Sequence, residues 1–251
     1  MGIKSWMPTR GGGPERAHRS QRFHQVAVLG HTTVWRLKGG AATDPFFFDS
    51  GVAVDFDGAS RCYGPHGIVG ALDAFANARH AGNWWGVVTN TGHAAGQPIV
   101  QSGVAPAQPD RGFYISQTSL IDPMYPIDDV RRYTDATKVP YVALPPAHMR
   151  GTGLRIGDFC LAINMINGRF SYAVYADAKR QPNLGESSMR LVDNLGLPSG
   201  RQGGATRGVM FLVFPNSGIG QGSIPLDEEL QFIEKYLAIE QVRFSDRLQV
   251  R

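Results

Sequence analysis

Asp177 and Glu186 stand nine residues apart in the run Tyr172-Ala-Val-Tyr-Ala-Asp-Ala-Lys-Arg-Gln-Pro-Asn-Leu-Gly-Glu-Ser-Ser188. A carboxyl pair can break a glycosidic bond. One member, protonated, gives a proton to the leaving oxygen, and the other acts as base or nucleophile. The pattern predicts a strand ending at Asp177, a short polar loop, and a helix beginning near Glu186. The partial positive charge of a helix N-terminus would favour ionised Glu186. On that ground Glu186 is the expected base and Asp177 the expected acid, and burial of either would reverse the roles. Taken without context, both are also ordinary turn and helix-start residues.

The second strand of a predicted hairpin must position Asp177. Phe159–Ile166 precedes Asn167-Gly168, and Arg169–Asp177 follows. Asn-Gly between apolar strands predicts a type I′ turn. Alternation puts Phe170, Tyr172 and Val174 on one face, and Ser171, Ala173, Tyr175 and Asp177 on the other. Further strands are expected over 25–38, 46–58, 84–89, 98–102, 113–120, 139–145 and 209–215. Short helices are expected over 68–79 and 187–195, and a longer one over Asp227–Val242. Asp57-Gly58 reads as a turn.

The 251 residues include Gly 31 and Pro 16, which favours a mainly β fold with a few helices. Residues 1–22 read as a disordered basic tail, and 23–251 as a single domain. Much of the net charge of +4 comes from that tail, so the body is close to neutral. No basic stripe is interleaved with aromatics, so nucleic acid is not the expected partner. No apolar run approaches 18 residues, so no membrane span is expected. No secretory signal is read at the start. Cys62 and Cys160 are expected to be buried thiols or one disulfide, and no Cys/His spacing suggests zinc.

Several segments occur in a familiar order: Gly157-Asp-Phe-Cys, the Asn-Gly hairpin, Tyr-Ala-Asp177, Leu-Gly-Glu186-Ser-Ser, and Val209–Gly218. From about Phe48 to Leu237 the chain resembles glycoside hydrolase family 75, a chitosanase family. Ala176 stands where that family usually has Gly, and Ser187 where it has Ala. The resemblance implies that Asp177 and Glu186 are the catalytic pair. It implies inverting endo-hydrolysis of β-1,4-linked glucosamine polymers, without cofactor or metal. It also implies a six-stranded, double-psi-like β-barrel core. The family is usually secreted.

The Asp-x-Asp-Gly segment of the family is matched by Asp55-Phe-Asp57-Gly, which gives those acids a sugar-binding role. An Asx turn is the alternative reading. A calcium loop lacks its downstream bidentate Glu. Trp84, Trp85, Tyr114, Tyr125 and Tyr175 are aromatics that could stack on sugar rings or pack in the core. Neighbouring Trp84 and Trp85 must point to opposite faces, so one is a cleft candidate. A near-neutral body gives a polycation no long-range steering. Peptidoglycan or chitin is therefore an alternative substrate, and a non-catalytic carbohydrate-binding role is a separate alternative.

Overall fold

The computed structural model describes residues 23–37, 41 and 44–218. The expected basic tail and the helix expected over Asp227–Val242 lie outside the described residues. Strands β1 (Phe23–Leu29) and β2 (Thr32–Leu37) form a hairpin, and β3 (Phe46–Asp55) follows. The two-residue strands β4 (Arg79–His80) and β5 (Asn83–Trp84) pair with each other. Then come β6 (Tyr141–Leu144), β7 (Phe159–Asn164), β8 (Phe170–Ala178) and β9 (Glu186–Ser188). Helix α1 (Met189–Asn194) and β10 (Ala205–Phe214) complete the set.

The fold is mainly β and holds a closed six-stranded barrel in the order β3-β10-β7-β8-β6-β9. Parallel pairing of β9 with β3 closes it, and β6 with β8 is the other parallel pair. The β1–β2 hairpin extends the sheet from β3 through Trp35 and Arg36. Among the described residues no helix is long and apolar enough to cross a membrane.

Two-residue periodicity builds the core. Phe46, Phe48, Val142, Leu144, Cys160, Ala162, Ala173, Tyr175, Val209, Phe211 and Val213 share one cluster with Leu191 of α1 and Leu195 at its C-cap. Phe48 stacks on Phe211 with centroids 5.0 Å apart. The alternate residues Phe47, Leu161, Ile163, Met210 and Leu212 pack on the opposite face with Phe23 and Trp35. A strand covered on both faces must be apolar throughout, which accounts for the unbroken run in β10.

The hairpin is present, but its turn differs from type I′. Only Gly168 has positive φ, at 76°, whereas type I′ needs two such residues. The connection is longer: Gly168 N–H donates to the Asn164 carbonyl, and Asn164 N–H to that of Arg169, both at 2.8 Å. Asn167 instead donates from its amide to the Leu195 carbonyl at 3.1 Å, tying the loop to the end of α1.

Residues 56–140 form a long insertion between β3 and β6. The strands expected at 84–89, 98–102 and 113–120 shrink there to β5 and the isolated bridges Val87–Ser116, Thr89–Pro98 and Val100–Tyr114. The helix expected over 68–79 contracts to one 3-10 turn, Phe75–Ala78. Gly70 is the local reason, since its φ of 88° is incompatible with a continuing helix. The insertion keeps its own core of Phe56, Cys62, Tyr63 and Val87, joined by Phe75, Trp84 and Tyr114. Cys62 and Cys160 are free and buried.

Candidate functional site

The site begins with an irregularity. Val142 of β6 pairs with Tyr175 of β8, but the next residue, Ala143, pairs with Asp177. Ala176 is therefore the extra residue of a β-bulge. The bulge turns Asp177 away from the face of Ala173 and Tyr175, correcting the simple alternation read from sequence. Ala176 itself packs with Tyr141 and Ala136, beneath the insertion.

Glu186 meets the same row from the other side. It pairs with Ala143 of β6 and with Ala53 of β3. Ala143 thus lies between the two acids. Two strand spacings put their backbones about 9–10 Å apart. Glu186 belongs to the short strand β9, so the expected position at a helix N-terminus is corrected. The N-cap of α1 is Ser188, whose Oγ accepts from Leu191 N–H at 3.2 Å. What faces Glu186 is a cation: the Lys179 ammonium pairs with its Oε2. Lys179 is buried, while a third of the Glu186 side chain is exposed.

Asp177 is only 8% exposed. Its Oδ1 accepts from both the backbone N–H and the Oγ of Ser119, each at 2.9 Å. Burial pushes this carboxyl up to about 6; the Ser119 donors pull it down, and the charge of Glu186 adds to the rise.

Asp55 ends β3 opposite Ser188. Its Oδ1 accepts from Asp57 N–H at 2.9 Å, so the Asx turn is real. Asp57 Oδ1 accepts from Ser116 Oγ at 3.1 Å and lies 3.6 Å from Cys62 Sγ. Tyr141 donates to the Asp57 carbonyl at 3.0 Å. Asp55, Asp57 and Asp177 each bring one carboxyl oxygen within 4.8 Å of the other two. Three buried carboxylates cannot all be ionised at that spacing without a compensating cation. Burial first, then the neighbouring acids, push Asp55 and Asp57 well above the ordinary carboxylate range. A shared proton or a bound cation would relieve that repulsion, and the three oxygens are close enough for either.

The expected aromatic contacts are largely elsewhere. Tyr175 is 1% exposed in the barrel interior, and its hydroxyl donates to the Leu144 carbonyl at 3.3 Å. It offers no face to a sugar. Trp84 stacks on Phe75 at 5.1 Å and belongs to the insertion core. The two tryptophans do diverge: Trp85 lies beneath the Arg180 guanidinium, whose carbon is 4.1 Å from the ring centroid. Tyr114 also packs on Phe75, and Tyr125 lies under Arg131. Ser217 is structural: its Oγ donates to the Phe214 carbonyl and accepts from Phe159 N–H.

Sequence reasoning missed Ser119, Ser116, Tyr141 and Lys179. Lys179 had a signal, being a cation two residues beyond Asp177 in the run already under scrutiny. Ser119 had none, because its contact with Asp177 spans 58 residues.

Comparison with protein families corrects the resemblance drawn from the motifs. No glycoside hydrolase family model matches, so membership of family 75 is not supported. A histidine kinase family model matches residues 212–248. That stretch is a small part of the chain, lies mostly outside the described residues and contains no histidine to accept a phosphate. It does not define a family. No curated protein matches the chain.

Proposed function

We propose that this protein hydrolyses glycosidic bonds of an amino-sugar polysaccharide, cutting within β-1,4-linked glucosamine chains with inversion of configuration. The observation that carries the reading is the placement of Asp177 and Glu186 on either side of Ala143. Carboxyls about 6.5–9.5 Å apart leave room for a water between base and anomeric carbon, and the two-strand separation is compatible with that range.

The environments suit a division of labour. Burial keeps Asp177 protonated to about pH 6, so it can serve as the acid for the leaving oxygen. Glu186 is partly exposed, and Lys179 holds its Oε2, which leaves Oε1 to take a proton from water. The attacking water loses one proton to Glu186, its oxygen bonds to the anomeric carbon, and the bond to the leaving oxygen breaks as Asp177 protonates that oxygen. Solvent then restores both groups. The reaction as written needs no cofactor.

Reducing-end release from chitosan, chitin and purified peptidoglycan tests the reading, with wild type beside Asp177→Asn and Glu186→Gln. Release from chitosan that both variants lose is the expected result. Release only from chitin or peptidoglycan moves the substrate and keeps the pair. Binding without release by wild type replaces the enzyme with a carbohydrate-binding protein.

A further inference from the structure

We infer that Ser119 is a positioning residue for Asp177, anchoring Oδ1 and leaving Oδ2 as the oxygen that carries the transferable proton. The inference rests on the acid role proposed for Asp177. Ser119 meets Asp177 in two ways, by its backbone N–H and by its hydroxyl, and both donors converge on Oδ1 at 2.9 Å. An oxygen accepting two donors has no good site left for a proton of its own. A protonated Asp177 therefore holds its hydrogen on Oδ2.

The hydroxyl is itself fixed. Ser119 Oγ accepts from Ala178 N–H at 2.9 Å, so its own hydrogen points to Asp177. The hydroxyl thus bridges the carboxyl and the backbone just past it, clamping the end of β8. Residue 119 belongs to the insertion, so the clamp also ties that layer to the barrel. The charged and titratable groups around Asp177 include Asp55 and Asp57 from the end of β3 and its turn, Glu186 from β9, Lys179 beyond β8, Tyr141 from β6 and Tyr175 from β8 itself. Among the described residues, Ser119 is the uncharged side chain that donates to Asp177.

The test compares wild type with Ser119→Ala and Ser119→Thr. The titration of the Asp177 carboxyl is followed by carbon-13 NMR, alongside the pH profile of hydrolysis. Loss of the hydroxyl removes a donor to the ionised form, so Asp177 should titrate higher in Ser119→Ala. The alkaline limb of the rate profile should move up with it. Loss of orientation should lower kcat by about 10- to 100-fold with little change in KM. Ser119→Thr, which keeps the hydroxyl, should restore titration and rate.

An unmoved Asp177 titration in a folded Ser119→Ala variant would overturn the inference, as would a rate loss that Ser119→Thr fails to rescue. If Ser119→Ala does not fold, the threonine variant decides alone: titration and limb as in wild type support the role, and displacement of either refutes it. If no glycan is cut by wild type, the proposed function fails, while the NMR titration still decides whether Ser119 sets the proton of Asp177.

Discussion

Asp177 and Glu186 share one neighbour: Ala143 is the register partner of both, one through a parallel ladder and one through an antiparallel ladder. Ala143 itself is buried, so the row that joins the two acids is covered rather than exposed. The acids themselves are held by strands rather than by the loop between them, which fixes their separation by hydrogen-bond geometry.

Replacing Asp177 with Asn should remove hydrolysis and raise stability together. The Asn carbonyl can still accept from Ser119, but the buried charge is gone. A shift from 3.8 to about 6 corresponds to about 3 kcal/mol of cost for the ionised group well above pH 6. Urea denaturation at pH 7.5 should show Asp177→Asn more stable by up to that amount. Equal or lower stability would mean that Asp177 is not held at a cost.

The sign of the pH dependence follows from the same group. Its folded pKa lies above the unfolded value, so the folded state binds the proton more tightly. Stability from this group is fully present below about pH 4 and is lost as pH rises to about 6. The difference between wild type and Asp177→Asn should therefore vanish near pH 3.5–4 and grow to a plateau above pH 6. Denaturation curves across that window measure it.

Activity should fall on the alkaline side with an apparent pKa near 6, as the acid loses its proton. Because Asp55, Asp57 and Glu186 are coupled to Asp177, the measured value belongs to the group. A rate that stays flat from pH 5 to pH 8 would remove Asp177 from the role of acid.

Gly185 should tolerate no side chain. Its φ is 96°, and a Cβ there would lie 1.9 Å from the Gly51 carbonyl oxygen. The same segment carries the bond from Ala53 N–H to the Gly185 carbonyl at 3.0 Å, which seats β9 against β3. Gly185→Ala should cost about 2–4 kcal/mol and displace Glu186, lowering hydrolysis as well. A variant with wild-type thermal stability and rate would contradict this account of β9.

Tyr175→Phe gives the opposite expectation. It removes one buried hydroxyl and its bond to the Leu144 carbonyl, at about 1 kcal/mol. Since the ring lies inside the barrel, KM and kcat should stay at wild-type values. A raised KM would return Tyr175 to the substrate site.

Much was legible from local pattern. Apolar content marked the strands at 46–58 and 209–215, because a strand buried on one or both faces must declare it in sequence. The helix after Glu186 was legible near Met189–Asn194, although its cap is Ser188. Asp57-Gly58 formed its turn, as Gly58 at φ 75° required. The insertion was read poorly. Its segments pair through single bridges, and their apolar content serves a local core that propensity mistakes for ladders.

The sequence by itself determined that two carboxylates flank a loop that follows a strand, and that the barrel strands are rich in apolar residues. Only the tertiary structure decided which way the acids face. The bulge at Ala176 exists because β8 must match the register of β6, a strand from a distant part of the chain. That register turns Asp177 onto the face of Ala143 and under Ser119. The convergence of Asp55, Asp57 and Asp177 likewise depends on parallel ladders between strands remote in sequence. Local periodicity encodes a strand's own alternation, whereas a bulge, a shared neighbour and a long-range hydrogen bond are set by which strands come to lie side by side.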